Sequence, residues 1–397
     1  MSQQLISRSP DLLRLQEDGY QVEVVAGHLV VATPFATSEG EVGWGKVVST
    51  LDLAGDITRP PGTHVAMFVG GTPCHADGSP LSRIINSHSV QDLGHGLKTT
   101  CTFSSKPASG GYADYYEKMT TYVAILSAEA AAIDPDVTPR TRRVVANDDA
   151  SSPFVYLDTA TTRAGIGAVS RKLEGERVAI VGLGGTGAYV LDQVAKCPVA
   201  AIDLFDEDYL LQHNAFRGPG AVPLEVLRER PRKVDWWASV YSHMHRGITP
   251  HAIRVGADDV SVLAGSTFVF LCLDAGEDKA AIVRELEHLD IPFVDVGMGL
   301  HLVDDALVGQ LRVTTSTPGM REQVHSRARI PMQGAGLDDL YARNIQVADL
   351  NMLNAALAVG RWKRLRGFYV DLENEHFSLF TVDGNHMLNE DFPGEAA

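Results

Sequence analysis

The sequence predicts a doubly wound α/β domain with a mixed sheet, preceded by a smaller α+β domain. Three observations carry this reading. Beyond residue 155, short apolar β runs alternate with amphipathic segments, the pattern of a parallel sheet wound with helices. Before residue 145, one helix is followed by closely spaced β-rich runs, an antiparallel α+β pattern. Between them, residues 134–152 (DPDVTPRTRRVVANDDASS) lack any apolar period and read as surface connection. The join therefore lies between Ile133 and Ser170, and the predicted domains are 1–145 and 155–390. A length of 397 residues accommodates them at roughly 100–200 residues per domain.

In chain order, the first helix is expected near Asp11 to Glu17, and the β runs are VEVVAGHLVVATPFA, KVVSTLDLAG, HVAMFVGG and TTCTFSS. The stretch YADYYEKMTTYVAILSAEAAAI mixes helix formers with β-branched residues, so periodicity alone leaves its state open. Later strands are expected at 177–181, 199–205, 252–255, 267–272 and 292–296. Antiparallel strands ALVGQLRVTTS, GFYVDL and FSLFTV should extend that sheet. Between them a scaffold helix is expected, with Ile345, Ala348, Met352, Leu353, Ala356 and Leu357 on its apolar stripe and Arg361, Lys363 and Arg364 complementing the dipole at its end.

Composition excludes several classes. Hydrophobic residues make up 45% and charged residues 21%, ordinary globular usage. The net charge of −16, with no basic tail, disfavours nucleic acid and anionic membrane surfaces as partners. The start has no signal-peptide character and no apolar run has the length of a membrane span, so the expected location is the cytoplasm. Four cysteines, Cys74, Cys101, Cys197 and Cys272, form no CxxC pair, which argues against a disulfide framework or a zinc ribbon.

The most informative stretch is RVAIVGLGGTGAYVLDQVAKCPVAAIDLFDEDYLLQHNAFRG. A buried strand enters Gly182, Gly184, Gly185 and Gly187 and then a helix, whose first N–H groups can approach phosphate oxygens. A second strand ends at Asp206, 24 residues after Gly182, where a carboxylate can accept from ribose hydroxyls. The site is for a nucleotide. The turn and the acid fit a dinucleotide equally well, and the absence of GxxxxGK[ST] excludes a Walker-type ATPase. Asp208, Asn214, Arg217 and Lys233 follow before the next sheet strand. An amide, an Arg and a Lys beyond the acid suit a polyphosphate better than a nicotinamide, and favour ATP.

These residues resemble the ThiF/MoeB/HesA family, which includes the ubiquitin-activating enzymes, over about residues 155–385. The family signature is GxGGxG, a D-x-D-x5-N-x2-R segment, a Lys and a late Asp; here these are GLGGTG, Asp206 to Arg217, Lys233 and Asp274. The resemblance implies a Rossmann-like ThiF-type fold, binding of ATP with Mg²⁺, and adenylation of the C-terminal glycine carboxylate of a ubiquitin-like or sulfur-carrier protein with release of pyrophosphate. By matching position, Gly182, Gly184, Gly185 and Gly187 would contact the nucleotide through backbone. Asp206 would hold the ribose, Asn214, Arg217 and Lys233 the phosphates, and Asp274 the Mg²⁺. Arg163 stands where the family places an arginine that reaches an active site, often across a homodimer interface. Departures exist too: no zinc-binding CxxC pairs, no cysteine after Cys272 for a thioester, Gly218 where Gln is usual, and Lys279 where Arg is common. A catalytically silent partner subunit and a nicotinamide oxidoreductase are the competing functions.

The amino-terminal region gathers Cys74, His75, His88, His95 and Cys101 within 28 residues. Irregular spacing favours structural roles over a metal. Cys74, in the loop-like TPCHADGSP, is the candidate nucleophile. The order helix, β meander, PPG, strand, then a Pro- and His-containing loop with a cysteine resembles a ubiquitin-conjugating domain, which implies transfer of the activated carrier to Cys74.

Overall fold

The computed structural model describes residues 2–143, 152–274, 276–332 and 345–390. The chain divides into two compact units, 1–171 and 172–397, just beyond the interval in which the sequence places the join. No helix among the described residues is long and apolar enough to cross a membrane.

The first unit begins with helices α1 (Ser2–Arg8) and α2 (Pro10–Glu17). Strands β1 (Val22–Val25), β2 (His28–Ala36) and β3 (Val42–Thr50) follow, then the short pair β4 (Leu53–Ala54) and β5 (Ile57–Thr58). β6 (Val65–Val69), β7 (Ile85–Ser87), β8 (Cys101–Ser104) and the helix α3 (Tyr115–Ile133) come next. The main sheet is antiparallel in the order β1-β2-β3-β6-β8-β7. Leu12, Phe35, Phe68, Phe103, Tyr122 and Leu126 belong to its core. The stretch whose state periodicity left open is α3. Its start carries a box that periodicity does not register: Asp114 accepts the Glu117 N–H at 2.8 Å, and the Glu117 carboxylate accepts the Ala113 N–H at 2.7 Å. Tyr115, Met119, Tyr122 and Leu126 then recur at helical spacing on the buried side. Two short helices, α4 (Thr159–Ala164) and α5 (Gly167–Ser170), close the unit; buried Thr162 donates to Ala26 O at 3.3 Å.

The second unit runs β9 (Arg177–Val181), α6 (Gly185–Val194), β10 (Ala201–Phe205), α7 (Gln212–Ala215), α8 (Leu224–Glu229), α9 (Lys233–Tyr241) and β11 (Ile248–His251). It continues with β12 (Phe268–Leu271), α10 (Glu277–His288), β13 (Phe293–Val303), β14 (Ala306–Ser316), α11 (Glu322–Ser326), α12 (Ala348–Leu365), β15 (Phe377–Thr381) and β16 (His386–Glu390). The eight-stranded sheet has the order β11-β10-β9-β12-β13-β14-β15-β16. Its first five strands are parallel, and β13 to β16 are antiparallel. This is the mixed, doubly wound sheet that the sequence predicts, and β9, which leads into the glycine turn, sits inside it.

Three expectations need correction. The strand expected at 252–255 lies four residues earlier, because β11 pairs with β10 in the register Ile202 to Ile248. GFYVDL is irregular rather than a strand; Val370 and Leu372 face solvent while Asp371 is held by an ion pair to Arg361. The buried stripe of α12 is Asn351, Asn354, Ala355, Ala358, Val359 and Trp362, whereas Met352 is 51% exposed and Ala356 is exposed. Two asparagines occupy buried positions that hydrophobic periodicity cannot assign to a core. Arg361 is also buried rather than a dipole partner in solvent.

Candidate functional site

Strand β9 delivers the chain to Gly182 at the carboxyl ends of the parallel strands, where doubly wound sheets open a crevice. Gly182 has φ +90°, and a Cβ there would lie 2.6 Å from Cys272 O, so both backbone angle and space demand glycine. A Cβ on Gly187 would lie 1.9 Å from Gly182 O, and one on Gly185 would lie 2.0 Å from Asn351 Nδ2. These three glycines are required by packing. At Gly184 a Cβ would meet nothing within 4 Å: this position, which precedes the first turn of α6, borders open space. The partial positive charge of the helix start favours an anion on that side.

Asp206 lies just past β10, buried against the turn. Its Oδ2 accepts the Leu183 N–H at 2.7 Å, and its Oδ1 accepts the Asp208 N–H at 2.8 Å. Lys233, at the start of α9 and only 6% exposed, places Nζ 3.3 Å from Asp206 Oδ2 and 2.6 Å from Asp208 Oδ2. The expected ribose acid and the expected phosphate lysine therefore form one cluster. Its outer member, Asp208, has a side chain 67% exposed.

Asn214 is buried, and its Oδ1 accepts the Leu211 N–H at 2.9 Å, capping the turn that α7 begins. One turn on, the Arg217 N–H donates to Asn214 O at 3.2 Å, so Asn214 shapes the loop that carries Arg217. Arg217 Nε is buried without a hydrogen-bond partner among the described residues, a donor that a bound anion would satisfy. His213 reports the field of this loop. Burial, then Arg217, then Lys233 hold its imidazole below the ordinary value. Gly218 packs under Trp237, with a Cβ only 3.2 Å from the indole, which accounts for a small residue there.

Asp274 is exposed two residues beyond Cys272, the residue whose carbonyl abuts Gly182. The N-cap position of α10 is Gly276. Lys279 is buried against Asp295 at 2.7 Å, with Arg312 on the other oxygen of that carboxylate at 2.6 Å, and so serves the scaffold.

Arg163 and Cys74 fall in the first unit. Arg163 is exposed on α4. Cys74 is 1% exposed, its backbone bridged to Ala36 and Pro80, and its thiol donates to Thr72 O at 3.4 Å. Burial first and Asp77 second push that thiol up, so this conformation lacks the thiolate character of a poised nucleophile. TPCHADGSP is thus bridged and partly buried rather than an open loop. His75 instead meets Glu129, Nδ1 to Oε1 at 2.9 Å. Cys101 is pushed up to about 11 by burial, and burial likewise raises Cys272. Among the described residues no three His, Cys, Asp or Glu side chains converge as a metal site would need.

Sequence reasoning missed Asn351, which reaches the turn from α12: its Oδ1 accepts from Thr186 Oγ1 at 2.9 Å, and its Nδ2 donates to Arg217 O at 3.1 Å. No sequence signal marks it, because hydrophobic periodicity sets the apolar stripe of this helix on other positions.

The ThiF family model matches residues 160–328, and a domain of unknown function, DUF6791, matches residues 10–159. No curated protein matches the chain. Among solved structures it is similar to E. coli MccB with ATP, at 14% identity over 58% of this chain and 69% of that one, TM-score 0.43. E. coli MccB with MccA-N7isoASN matches at 14% over 59% and 74%, TM-score 0.46, and PaaA at 16% over 56% and 75%, TM-score 0.43.

Proposed function

Starting from residues 160–328 as a ThiF family domain, we propose that the chain uses ATP to adenylate the C-terminal glycine carboxylate of a ubiquitin-like or sulfur-carrier protein. One observation carries this reading most: Lys233, tied through Asp206 to Leu183, and Arg217, whose carbonyl is tied through Asn351 to Thr186, are linked to the turn on either side of the open Gly184, and Arg217 Nε has no partner among the described residues. That network suits a polyphosphate. A nicotinamide would need an apolar slot in the same place.

In this reading a carboxylate oxygen of the carrier attacks the α-phosphorus of ATP, the new C(O)O–P bond forms as the bridging P–O bond breaks, and pyrophosphate leaves. Negative charge grows on the bridging and non-bridging oxygens. Arg217, Lys233 and the α6 amides stabilise it as preorganised donors, with no side-chain nucleophile required. Asp206 orients the ribose and keeps the turn closed through Leu183. Mg²⁺, when bound, supplies further neutralisation of the phosphates, and Asp274 is the residue that would hold it.

A homodimer, a role for Arg163 in such an assembly and onward transfer to Cys74 are the further parts of this proposal. Transfer requires Cys74, 1% exposed, to become accessible first. The deciding experiment is ATP–pyrophosphate exchange by the full chain with a ubiquitin-fold protein ending in Gly-Gly. Exchange that depends on that terminal carboxylate supports the function; ATP binding with no exchange for any such partner supports the silent-subunit alternative.

A further inference from the structure

We propose that Asn351 is a positioning residue that sets the distance between the nucleotide-facing turn and Arg217, an inference that rests on the ATP reading above. The residue belongs to neither the glycine turn nor the acidic segment after β10. It lies on α12, fully buried, 165 residues from Thr186 and 134 from Arg217. Its amide is spent on both. The Thr186 hydroxyl, in the first turn of α6, donates to Oδ1 at 2.9 Å, and Nδ2 donates to Arg217 O at 3.1 Å. The same amide lies so close to Gly185 that a Cβ there would sit 2.4 Å from its Cγ.

Two separate segments, the Gly185–Thr186 start of α6 and the Arg217 loop, therefore converge on one planar side chain. The start of α6 faces the phosphates, and the Arg217 loop supplies the cation. A short side chain with its amide pinned at both ends holds these two halves at one separation, where the buried Arg217 Nε has no partner among the described residues. Electrostatic stabilisation depends on donors being in place before charge develops. Asp206, by contrast, is fixed through Leu183 and Lys233, not through α12. Loss of Asn351 should thus affect the phosphate end of the site and spare the nucleoside end.

Asn351→Asp is the discriminating variant. It keeps the acceptor for Thr186 and the volume beside Gly185, but sets a carboxylate oxygen against the Arg217 carbonyl and so repels that loop. Titration calorimetry of the full chain with MgATP and, separately, with adenosine reads the effect. The expected result is an about tenfold loss of MgATP affinity with adenosine affinity changed less than about twofold, and Thr186→Val, which removes one of the two bonds, losing about threefold for MgATP alone. Thr186→Val also carries the test if Asn351→Asp fails to fold. Unchanged MgATP affinity in folded variants, or equal loss for both ligands, overturns the positioning role and leaves the ATP site standing. A wild-type chain that binds MgATP no better than adenosine overturns the ATP reading itself, and this inference with it.

Discussion

Lys118 in the first unit and Lys233 in the second are both buried, but their partners differ. Lys118 Nζ donates to Ser49 Oγ at 2.8 Å and to Thr63 O at 2.9 Å, both neutral acceptors. Burial pulls it down to about 8, with Asp52 offsetting only part of the effect. Lys233 has two carboxylates within reach, one of them on an exposed side chain. A buried amine among neutral acceptors is a piece of scaffold; one held by carboxylates, one of them exposed to solvent, is placed to receive another anion. Burial of a cation by itself therefore says little about function, and the character of its acceptors says more.

The sharpest way to break this contrast is to remove each amine. Lys233→Met should lower ATP–pyrophosphate exchange by on the order of 10²–10³, about 3–4 kcal/mol of transition-state stabilisation, whereas Lys118→Met should leave exchange per folded molecule unchanged. Equal losses from both would abolish the distinction. Next in size, Gly187→Ala forces a methyl group to within 1.9 Å of Gly182 O and should destabilise the second unit by about 2–3 kcal/mol in urea unfolding, with the first unit's transition unmoved.

A pH experiment addresses the neutral-acceptor amine. The folded value of Lys118 is depressed, so between about 8 and 10.5 the unfolded chain binds more protons, and stability of the first unit rises with pH across that window. From 10 upward Tyr115 and Tyr122, held protonated by burial, act in the opposite sense. Comparing the wild type with Lys118→Met isolates the lysine: the wild type should gain on the order of 1–2 kcal/mol relative to the variant from pH 8 to pH 10, and a constant or falling difference would refute the assignment.

The smallest effect lies at His213. Burial first, then Arg217 and Lys233, hold it down in the free chain, and a polyanion between those cations would remove their part and let it rise. MgATP binding should then take up a fraction of a proton just below pH 6.5, and affinity should increase a few-fold as pH falls through that range. Calorimetry in buffers of different ionisation enthalpy measures the uptake, and a His213→Gln variant should lose it.

Much of this architecture was legible because its signals are local. The turn from β9 into α6, Asp206 at the end of β10, and Asn214, Arg217 and Lys233 after it lie within 52 residues, and the parallel sheet only has to align the strand ends. What stayed hidden depends on distant partners. β11 holds Pro250 and exposed Thr249 and is a strand only because β10 offers it a ladder. GFYVDL has strand-like residues, but acids on either side of Leu372 pair with Arg361 and turn the segment away from the sheet. Asn351 sits in a helix whose composition points to simple packing, and only its folded contacts expose a second duty.

The last of these bears on where the second unit can be cut. The ThiF match ends at residue 328, but α12 begins at Ala348 and supplies Ala355, Ala358, Val359 and Trp362 to the core beneath β9 and β12 as well as Asn351 to the turn. A recombinant fragment trimmed to the matched span would keep every signature residue from the glycine turn onward and still lose its keystone, leaving a hollow beside Gly185 that solvent would flood.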